Sequence, residues 1–339
     1  MPQWTGIVVR CTTNETGNVP RTYSVNSPDI ILAGTRPLPD PNALTDPKNY
    51  NNYYANSLFI GLPNYLYVRG KNFTTALLGG SWNLFYSTPN ILLYPFLWEQ
   101  NKLATSSGNQ NPPFTIKAGE IGASTDSFAW VPPDTSDHYC MIAIANTPGH
   151  GNPLAGVNNV TSLAEVMANN ANIAQRNVQM VRGVVPQMVS RAGYDQGSEP
   201  AYMDISVLFY NIPKGSDYTI GAGTPVDGKT LYDEGKNTQS FDFKRGWPNL
   251  NVPANWNTVF TWTLKFGSDW SGIPTGNHPT VEIRGEIPMT AAHRLYHLGT
   301  DADPDPTTGQ PRLDPKGGGP VKVIRAGSVI TICQDMVAP

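Results

Sequence analysis

Short runs of alternating hydrophobic and polar residues, separated by turn-forming residues, make up most of this chain of 339 residues. Residues 114–120, 257–266 and 281–287 alternate along most of their length, and residues 138–145 form a short apolar run. Pro, Gly or Asn bounds most of these runs. Closely spaced strands that end in such turns are typical of sandwiches, so the pattern predicts an all-β protein.

The pattern predicts strands throughout the chain, at residues 4–11, 29–33, 65–72, 82–86, 114–120, 127–133, 138–145, 175–181, 201–210, 257–266, 281–287, 321–325 and 328–333. We expect the last two to form a hairpin around Ala326-Gly327. One or two helical turns are predicted over 162–168, with Thr161 or Ser162 as the N-cap. Four prolines between residues 35 and 52 predict a loop there.

The length predicts two domains, because a domain has about 150 residues. We place a first β-sandwich at residues 1–181 and a second at 182–339. Both are expected to be immunoglobulin-like, with long loops rich in Pro, Asn and Gly.

Composition narrows the function. Charged residues are 14% of the chain, against about 25% in an average soluble protein, whereas Gly (32) and Pro (31) are abundant. The formal net charge is −3, and no basic patch is present that could neutralise a run of phosphates, so we expect no nucleic-acid partner. No apolar run approaches the roughly 20 residues that span a bilayer.

The N-terminus from Met1 to Gly6 lacks a basic segment followed by an apolar one, so no Sec signal peptide is expected. Localisation is thus predicted as either cytoplasmic or exported by a non-Sec route. Cys11, Cys140 and Cys333 are far apart and odd in number, which excludes a disulfide-dense scaffold. We expect buried thiols, while a disulfide between two of them stays open.

Four stretches of the first half follow the order of motifs in bacterial modules. Residues 27–31 resemble the opening of those modules, and residues 64–72 resemble the strand "N-x-I-x-V-x-V-x-N". Residues 128–143 resemble "W-x-P-P … H-x-C-L-x-A", and residues 169–178 resemble "N-N-N-I-A-x-R-N".

In this order the stretches resemble immunoglobulin-like adhesion modules of the CARDB type, over roughly residues 27–181. The departures are a long Pro/Asn-rich insert at 35–56 and a second half that does not match. The resemblance implies a β-sandwich that binds as an accessory module beside other domains. It implies no catalytic residue.

Aromatic residues in or beside predicted loops are the candidate binding surface. Tyr and Trp suit interfaces because they bury a large area and keep a polar group. The residues we select are Tyr53, Tyr54, Trp98, Trp247 and Trp270. The alternative is that such aromatics plug the loops of a large sandwich.

Asp301, Asp303 and Asp305 place three carboxylates at alternate positions of one loop. Calcium-binding loops use such spacing because several oxygen ligands must converge on one ion. Calcium is therefore the candidate cofactor, against a solvated acidic loop as the alternative.

The chain shows no Gly-x-Ser-x-Gly elbow, and His138 with Cys140 on one strand is better explained by core packing than by a thiol–imidazole pair. We therefore expect no enzyme but a binding or assembly protein, with a protein or glycan partner or with a second copy of itself. One alternative is a secreted or injected toxin, with residues 257–266 as the strand that could leave the fold. Another is a metal-dependent hydrolase that uses the Asp301 loop.

Overall fold

The computed structural model describes residues 2–134, 138–181, 187–237, 242–266, 278–304, 309–316 and 318–332. Strands dominate these residues, and the prediction of an all-β sandwich fold is confirmed. The chain divides into two compact units. Unit 1 comprises Met1–Pro89, Leu93–Val157 and Val166–Val184, and unit 2 comprises Asn90–Leu92, Asn158–Glu165 and Val185–Pro339.

Unit 1 contains ten strands: β1 (Ile7–Val8), β2 (Ile30–Gly34), β3 (Leu58–Phe59), β4 (Asn64–Asn72), β5 (Leu78–Ser87), β6 (Pro113–Ile116), β7 (Ile121–Ala123), β8 (Phe128–Trp130), β9 (His138–Asn146) and β10 (Ile173–Val181). In the first sheet β4 pairs with β1 and β2 and also with β7 and β8. The second sheet has the order β3-β10-β9-β5-β6, in which only β3 and β10 run parallel.

Aromatic contacts join the two sheets of unit 1. Trp130 of β8 meets Tyr139 of β9 edge-on, with ring centroids 5.1 Å apart. Gly70 of β4 leaves room for Trp82 of β5, because a β-carbon at Gly70 would lie 3.1 Å from that indole ring. Large buried side chains from both sheets therefore form one core between them.

A buried ionic cluster holds the Pro/Asn-rich loop of unit 1. Asp29 is fully buried and accepts from Arg10 Nη2 at 2.8 Å and from Arg69 Nε at 2.9 Å. Arg69 also donates to the carbonyl of Asn49, and Arg10 donates to that of Tyr50. The loop contains two short 3₁₀ turns, Pro41–Thr45 and Pro47–Asn49, and no core helix, as predicted.

The one α-helix among the described residues is α1 (Val160–Asn169). It begins earlier than predicted, and Asn159 rather than Thr161 or Ser162 caps it. The Asn159 side chain accepts from the backbone N–H of Ser162 at 2.9 Å, which satisfies a donor of the first turn.

Unit 2 contains nine strands: β11 (Gln187–Asp195), β12 (Ala201–Tyr210), β13 (Asp217–Ala222), β14 (Tyr232–Lys236), β15 (Phe243–Val252), β16 (Asn257–Lys265), β17 (Thr280–Met289), β18 (Thr300–Asp301) and β19 (Lys322–Ile332). They form a four-stranded sheet, β11-β16-β13-β14, and a five-stranded sheet, β15-β12-β17-β19-β18. All of these pairings are antiparallel.

The core of unit 2 lies between these sheets. On β12, Ile205, Val207 and Phe209 are fully buried and face inward, and Phe209 contacts Tyr218 of β13 with ring centroids 5.2 Å apart. Alternation also holds on β16, where Trp262 is buried and Thr261 is exposed. This strand is part of the core, as the two-residue period predicts.

The hairpin predicted around Ala326-Gly327 is wrong, because β19 is one continuous strand of 11 residues. Gly327 pairs with Gly285 of β17, and Ile91 packs over it as part of unit 2. The Ile91 N–H donates to the carbonyl of Gly193 at 2.8 Å. Gly327 therefore provides a close backbone approach within a strand and no turn.

Candidate functional site

A cleft of about 750 Å³ opens on the outer face of the five-stranded sheet of unit 2. Asp204, Ser206 and Leu208 of β12 line it. They do so because β12 alternates, so that its odd-numbered residues point into the core and its even-numbered residues point outward. The floor of the cleft is therefore set by the outward face of β12, whose pairing with β15 shifts register at Asp204.

The other walls come from β15, β17, β19 and the segment after β18. Residues 244–248 of β15 form one side, with Gly246 beside β12. A β-carbon at Gly246 would lie 2.4 Å from the Ile205 carbonyl oxygen, so only glycine permits this close approach. Glu286 of β17 and Val323 of β19 complete the floor.

Two ion pairs hold the segment after β18 against the sheet. Lys244 pairs with Asp303, and Arg312 pairs with Asp204. The backbone N–H of Asn249 also donates to Asp204 at 2.8 Å. Because each charge lies beside its opposite, these groups are positioned before any ligand arrives.

Glu286 differs from the other charged residues of the cleft. It is 8% exposed, and within the described part of the chain it has no hydrogen bond or ion pair. Burial raises the pKa of Glu286 above that of an ordinary glutamate, and the charges of Arg284 and Lys244 offset this only in part. The Glu286 carboxyl lines the cleft without a protein partner among the described residues, so it is open to a donor from a ligand.

Glu282, four residues earlier on β17, provides a contrast. Its carboxyl is 3% exposed and accepts from Arg284 Nη2 at 2.7 Å, and Arg325 lies 3.4 Å away. Burial acts to raise the pKa of Glu282, but the hydrogen bond from Arg284 and the charge of Arg325 outweigh it and lower the pKa. Glu282 is therefore part of an ion-paired structural network, although its Oε1 atom accepts no hydrogen bond from the described residues.

The predicted aromatic surface is split between the units, and its unit 1 members have different environments. Tyr53 is 47% exposed, lies over the Arg176 guanidinium at 4.2 Å and donates to Asn26 at 2.7 Å. Tyr54 is half-buried against the cluster around Leu44. Tyr53 thus remains accessible, and Tyr54 acts mainly in packing.

Trp98 is not a surface residue. Its relative exposure is 0%, its indole N–H donates to the carbonyl of Leu93 at 3.1 Å, and its ring packs edge-on against Phe85. Trp98 fits the alternative interpretation, in which such aromatics fill space inside the sandwich. Its ring fills the core, and its indole N–H has a hydrogen-bond acceptor within the protein.

Trp247 lies in strand β15 and not in a loop, among the residues that line the cleft. It is directly opposite Ile205, and its ring faces Phe260 of the four-stranded sheet at 6.1 Å, so the ring lies on the inner face of its sheet, away from Glu286. Trp270 lies outside the described residues.

The proposed calcium loop is only partly described. Asp301 pairs with Lys322 in the β18–β19 ladder, Asp303 is engaged by Lys244, and Asp305 lies outside the described residues. Within the described ranges no group of three or more His, Cys, Asp or Glu side chains is placed to hold a metal ion. The aspartates thus contribute to the cleft through Asp303.

Residues His138 and Cys140 are both fully buried on β9, and both contact Asn177. Burial lowers the pKa of His138 to about 3, so the ring is neutral at physiological pH. Cys11 and Cys140 are buried free thiols, and burial raises the pKa of Cys11 to about 12. Cys333 lies outside the described residues.

Sequence reasoning missed Glu286, Asp204 and Arg312. Both carboxylates fall in strands that were predicted, but an acidic residue at an outward position of an alternating strand normally faces water. Only the pairing of β12 with β17, which brings Asp204 opposite Glu286, shows that they share a cleft.

No helix in the described part of the chain is long and apolar enough to cross a membrane.

Comparison with known proteins gives no family. No family model matches the chain, and no curated protein matches it. A crystal structure of red sea bream transglutaminase is similar at 10% identity over 67% of this chain, with a TM-score of 0.20. The calcium-binding domain CBD12 of CALX1.1 is similar at 8% identity over 69% of this chain and 78% of that chain, with a TM-score of 0.18.

The chain spans only 27% of the length of the transglutaminase. TM-scores this low support no statement about the fold or the function of this chain.

Proposed function

We propose that this chain is a non-catalytic binding protein and that its ligand occupies the cleft on the five-stranded sheet of unit 2. The observation that carries the proposal is Glu286, a carboxyl that is 8% exposed and lacks a hydrogen-bonding partner among the described residues. The cleft has the volume of a small-molecule site, about 300–1,000 Å³. A ligand that donates to Glu286 would replace the hydrogen bonds that the folded chain does not supply.

The arrangement of the two carboxyls favours binding over hydrolysis. Asp204 and Glu286 are directly opposite on paired antiparallel strands, so their side chains lie on the same face. Hydrolysis of a glycosidic bond by two carboxyls requires them to flank that bond. Side chains that approach from one face, with Asp204 already engaged by Arg312, suit recognition instead.

For unit 1 we infer an immunoglobulin-like accessory module of the CARDB type. The motifs that carry this resemblance fall on strands β2, β4, β8, β9 and β10 and on the segment between α1 and β10. In this proposal unit 1 is a scaffold, and the exposed ring of Tyr53 is its accessible aromatic.

The experiment is a binding screen of the full chain against arrays of glycans and peptides, with Glu286→Gln and Glu234→Gln compared. Glu234 is an exposed glutamate of β14 and provides the matched control. Saturable binding that Glu286→Gln weakens and Glu234→Gln does not is the expected result. Equal binding by both variants would place the ligand elsewhere, and chemical conversion of a bound ligand would show an enzyme.

Light scattering of the same samples tests the expectation of self-association. A mass above 36.9 kDa that is independent of added ligand would add an assembly role to the binding role.

A further inference from the structure

We infer that the ligand of the unit 2 cleft is an uncharged saccharide segment. This inference rests on the proposed function and assigns its ligand class. Three properties of the cleft lead to it: the balance of its charges, the types of hydrogen-bonding group on its walls, and its apolar surface.

The charged walls other than Glu286 are balanced without a ligand. Lys244 is paired with Asp303, and Arg312 is paired with Asp204. Arg245, whose Nε lies 3.3 Å from the carboxylate of Asp233, is also paired.

Glu286 lacks a direct pair, but the cations of Arg284 and Arg325 are close enough to act on it. A cationic ligand would meet Lys244 and Arg312, and an anionic ligand would meet Glu286 at close range. An uncharged ligand disturbs none of these pairs, so the electrostatics favour it.

The hydrogen-bonding groups match hydroxyls. An ionised Glu286 only accepts hydrogen bonds, whereas Lys244 and Arg312 only donate, and each retains donors beyond those in its ion pair. A hydroxyl both donates and accepts, so a row of hydroxyls can meet carboxylates and cations in turn. Sites that bind through such fixed polar groups reject analogues that lack one of them.

The cleft also has an apolar side, which Leu208, Pro248 and Val323 line. A sugar ring presents C–H groups on its faces and hydroxyls at its rim, so it can contact both kinds of wall. A volume of about 750 Å³ suits a short oligosaccharide and not the broad contact of a folded protein partner.

The test is calorimetric titration of the full chain with three sets of probes. The uncharged set contains cello-, xylo-, malto- and manno-oligosaccharides, the cationic set contains chitosan oligosaccharides and lysine peptides, and the anionic set contains oligogalacturonates. Each titration is repeated between about 50 and 500 mM NaCl, because salt screens exposed charge interactions. Wild type, Glu286→Gln and Glu234→Gln are compared throughout.

We expect at least one uncharged oligosaccharide to bind with an affinity that salt does not change. Glu286→Gln should weaken it about tenfold, since a hydrogen bond to a charged group is lost, and Glu234→Gln should leave it unchanged. Replacement of Leu208 by Ala should weaken the same ligand through lost apolar contact. Its thermal midpoint is measured beside wild type to separate binding from folding.

Binding confined to the cationic or anionic probes, with strong salt dependence and loss in Glu286→Gln, would overturn the saccharide inference and leave the binding cleft intact. No binding in any of the three sets would overturn the saccharide inference. The proposed function would fall with it if the peptide array were also negative.

Discussion

Asp204 and Glu286 lie directly opposite each other on paired strands, but their surroundings differ. Arg312 and the backbone N–H of Asn249 hold Asp204, whereas no described residue hydrogen-bonds to or ion-pairs with Glu286. The two residues are 4% and 8% exposed, so both side chains are largely removed from water. A largely buried carboxyl without a protein partner lowers stability, and such sites are commonly retained where a ligand binds.

The first prediction is that Glu286→Gln stabilises the free protein at neutral pH. Burial raises the pKa of Glu286 in the folded state above its usual value of 4.5, so folding favours the protonated form. The stability that this group provides is present below pH 4.5 and is lost as the pH rises through the raised value. Glutamine carries no charge, so the thermal midpoint of the variant should exceed that of wild type at pH 7. This advantage should shrink on acidification.

The second prediction concerns Glu282 and has the opposite sign. Burial acts to raise the pKa of Glu282, but its interactions with Arg284 and Arg325 outweigh burial and lower the pKa. The stabilisation that Glu282 provides is therefore present above pH 4.5 and is lost as the pH falls through the lowered value. Glu282→Gln should therefore lower the thermal midpoint at pH 7, with a smaller difference in acid. Thermal scans from about pH 4 to pH 8 compare both variants with wild type. Shifts of the same sign for both would contradict the distinction between the two glutamates.

The third prediction tests the close approach at Gly327. A β-carbon there would lie 1.7 Å from the carbonyl oxygen of Ile91, which is backbone and cannot rotate away. Gly327→Ala should lower the free energy of unfolding by about 3 kcal/mol, at the upper end for overpacking. Gly319→Ala is the control, because nothing lies within 4 Å of a β-carbon at that position. Equal midpoints of urea unfolding for the two variants would show that the 90–92 segment does not pack over β19.

The fourth prediction concerns Asp29 in unit 1. Its removal leaves the guanidinium groups of Arg10 and Arg69, which are 1% and 0% exposed, without a carboxylate. Asp29→Ala should cost about 3–5 kcal/mol, because an uncompensated buried charge remains. Glu120→Ala breaks an exposed pair with Lys117 at 3.7 Å and should stay within about 0.5 kcal/mol of wild type. A similar, small loss in both variants by urea unfolding would contradict a structural role for the cluster.

Strand prediction succeeded at several strands with one buried face and failed at edges and close approaches. Residues 201–210 and 257–266 alternate because they lie inside their sheets, and the observed strands match them to within one residue. Strands β11, β13, β14 and β15 were missed. β14 is polar, β15 contains Gly246 and Pro248, and both lie at sheet edges, where strand propensity has little influence. β13 is an interior strand, and its alternation around the buried Tyr218 and Ile220 was overlooked.

The candidate site was less predictable than the fold. Aromatic residues were selected for size and position near turns, but burial depends on tertiary packing, so Trp98 entered the core while Tyr53 stayed accessible. The features that define the cleft depend on long-range pairing. Asp204 and Glu286 are far apart in sequence, and only their register shows that they share a face. A sequence pattern indicates which face of a strand a residue occupies but not what lies opposite.

The last prediction separates a core aromatic from a surface one. Trp98 is 0% exposed and Phe96, two residues earlier, is 60% exposed. Trp98→Ala should cost about 3–5 kcal/mol through the cavity it leaves, whereas Phe96→Ala should change stability little. Urea unfolding measures the stability of both variants. The saccharide titration is then repeated on the fraction of each variant that is folded. If Trp98→Ala kept its stability and lost a ligand, Trp98 would be a binding residue after all. Destabilisation with unchanged affinity would show that its role is to fill the core of unit 1.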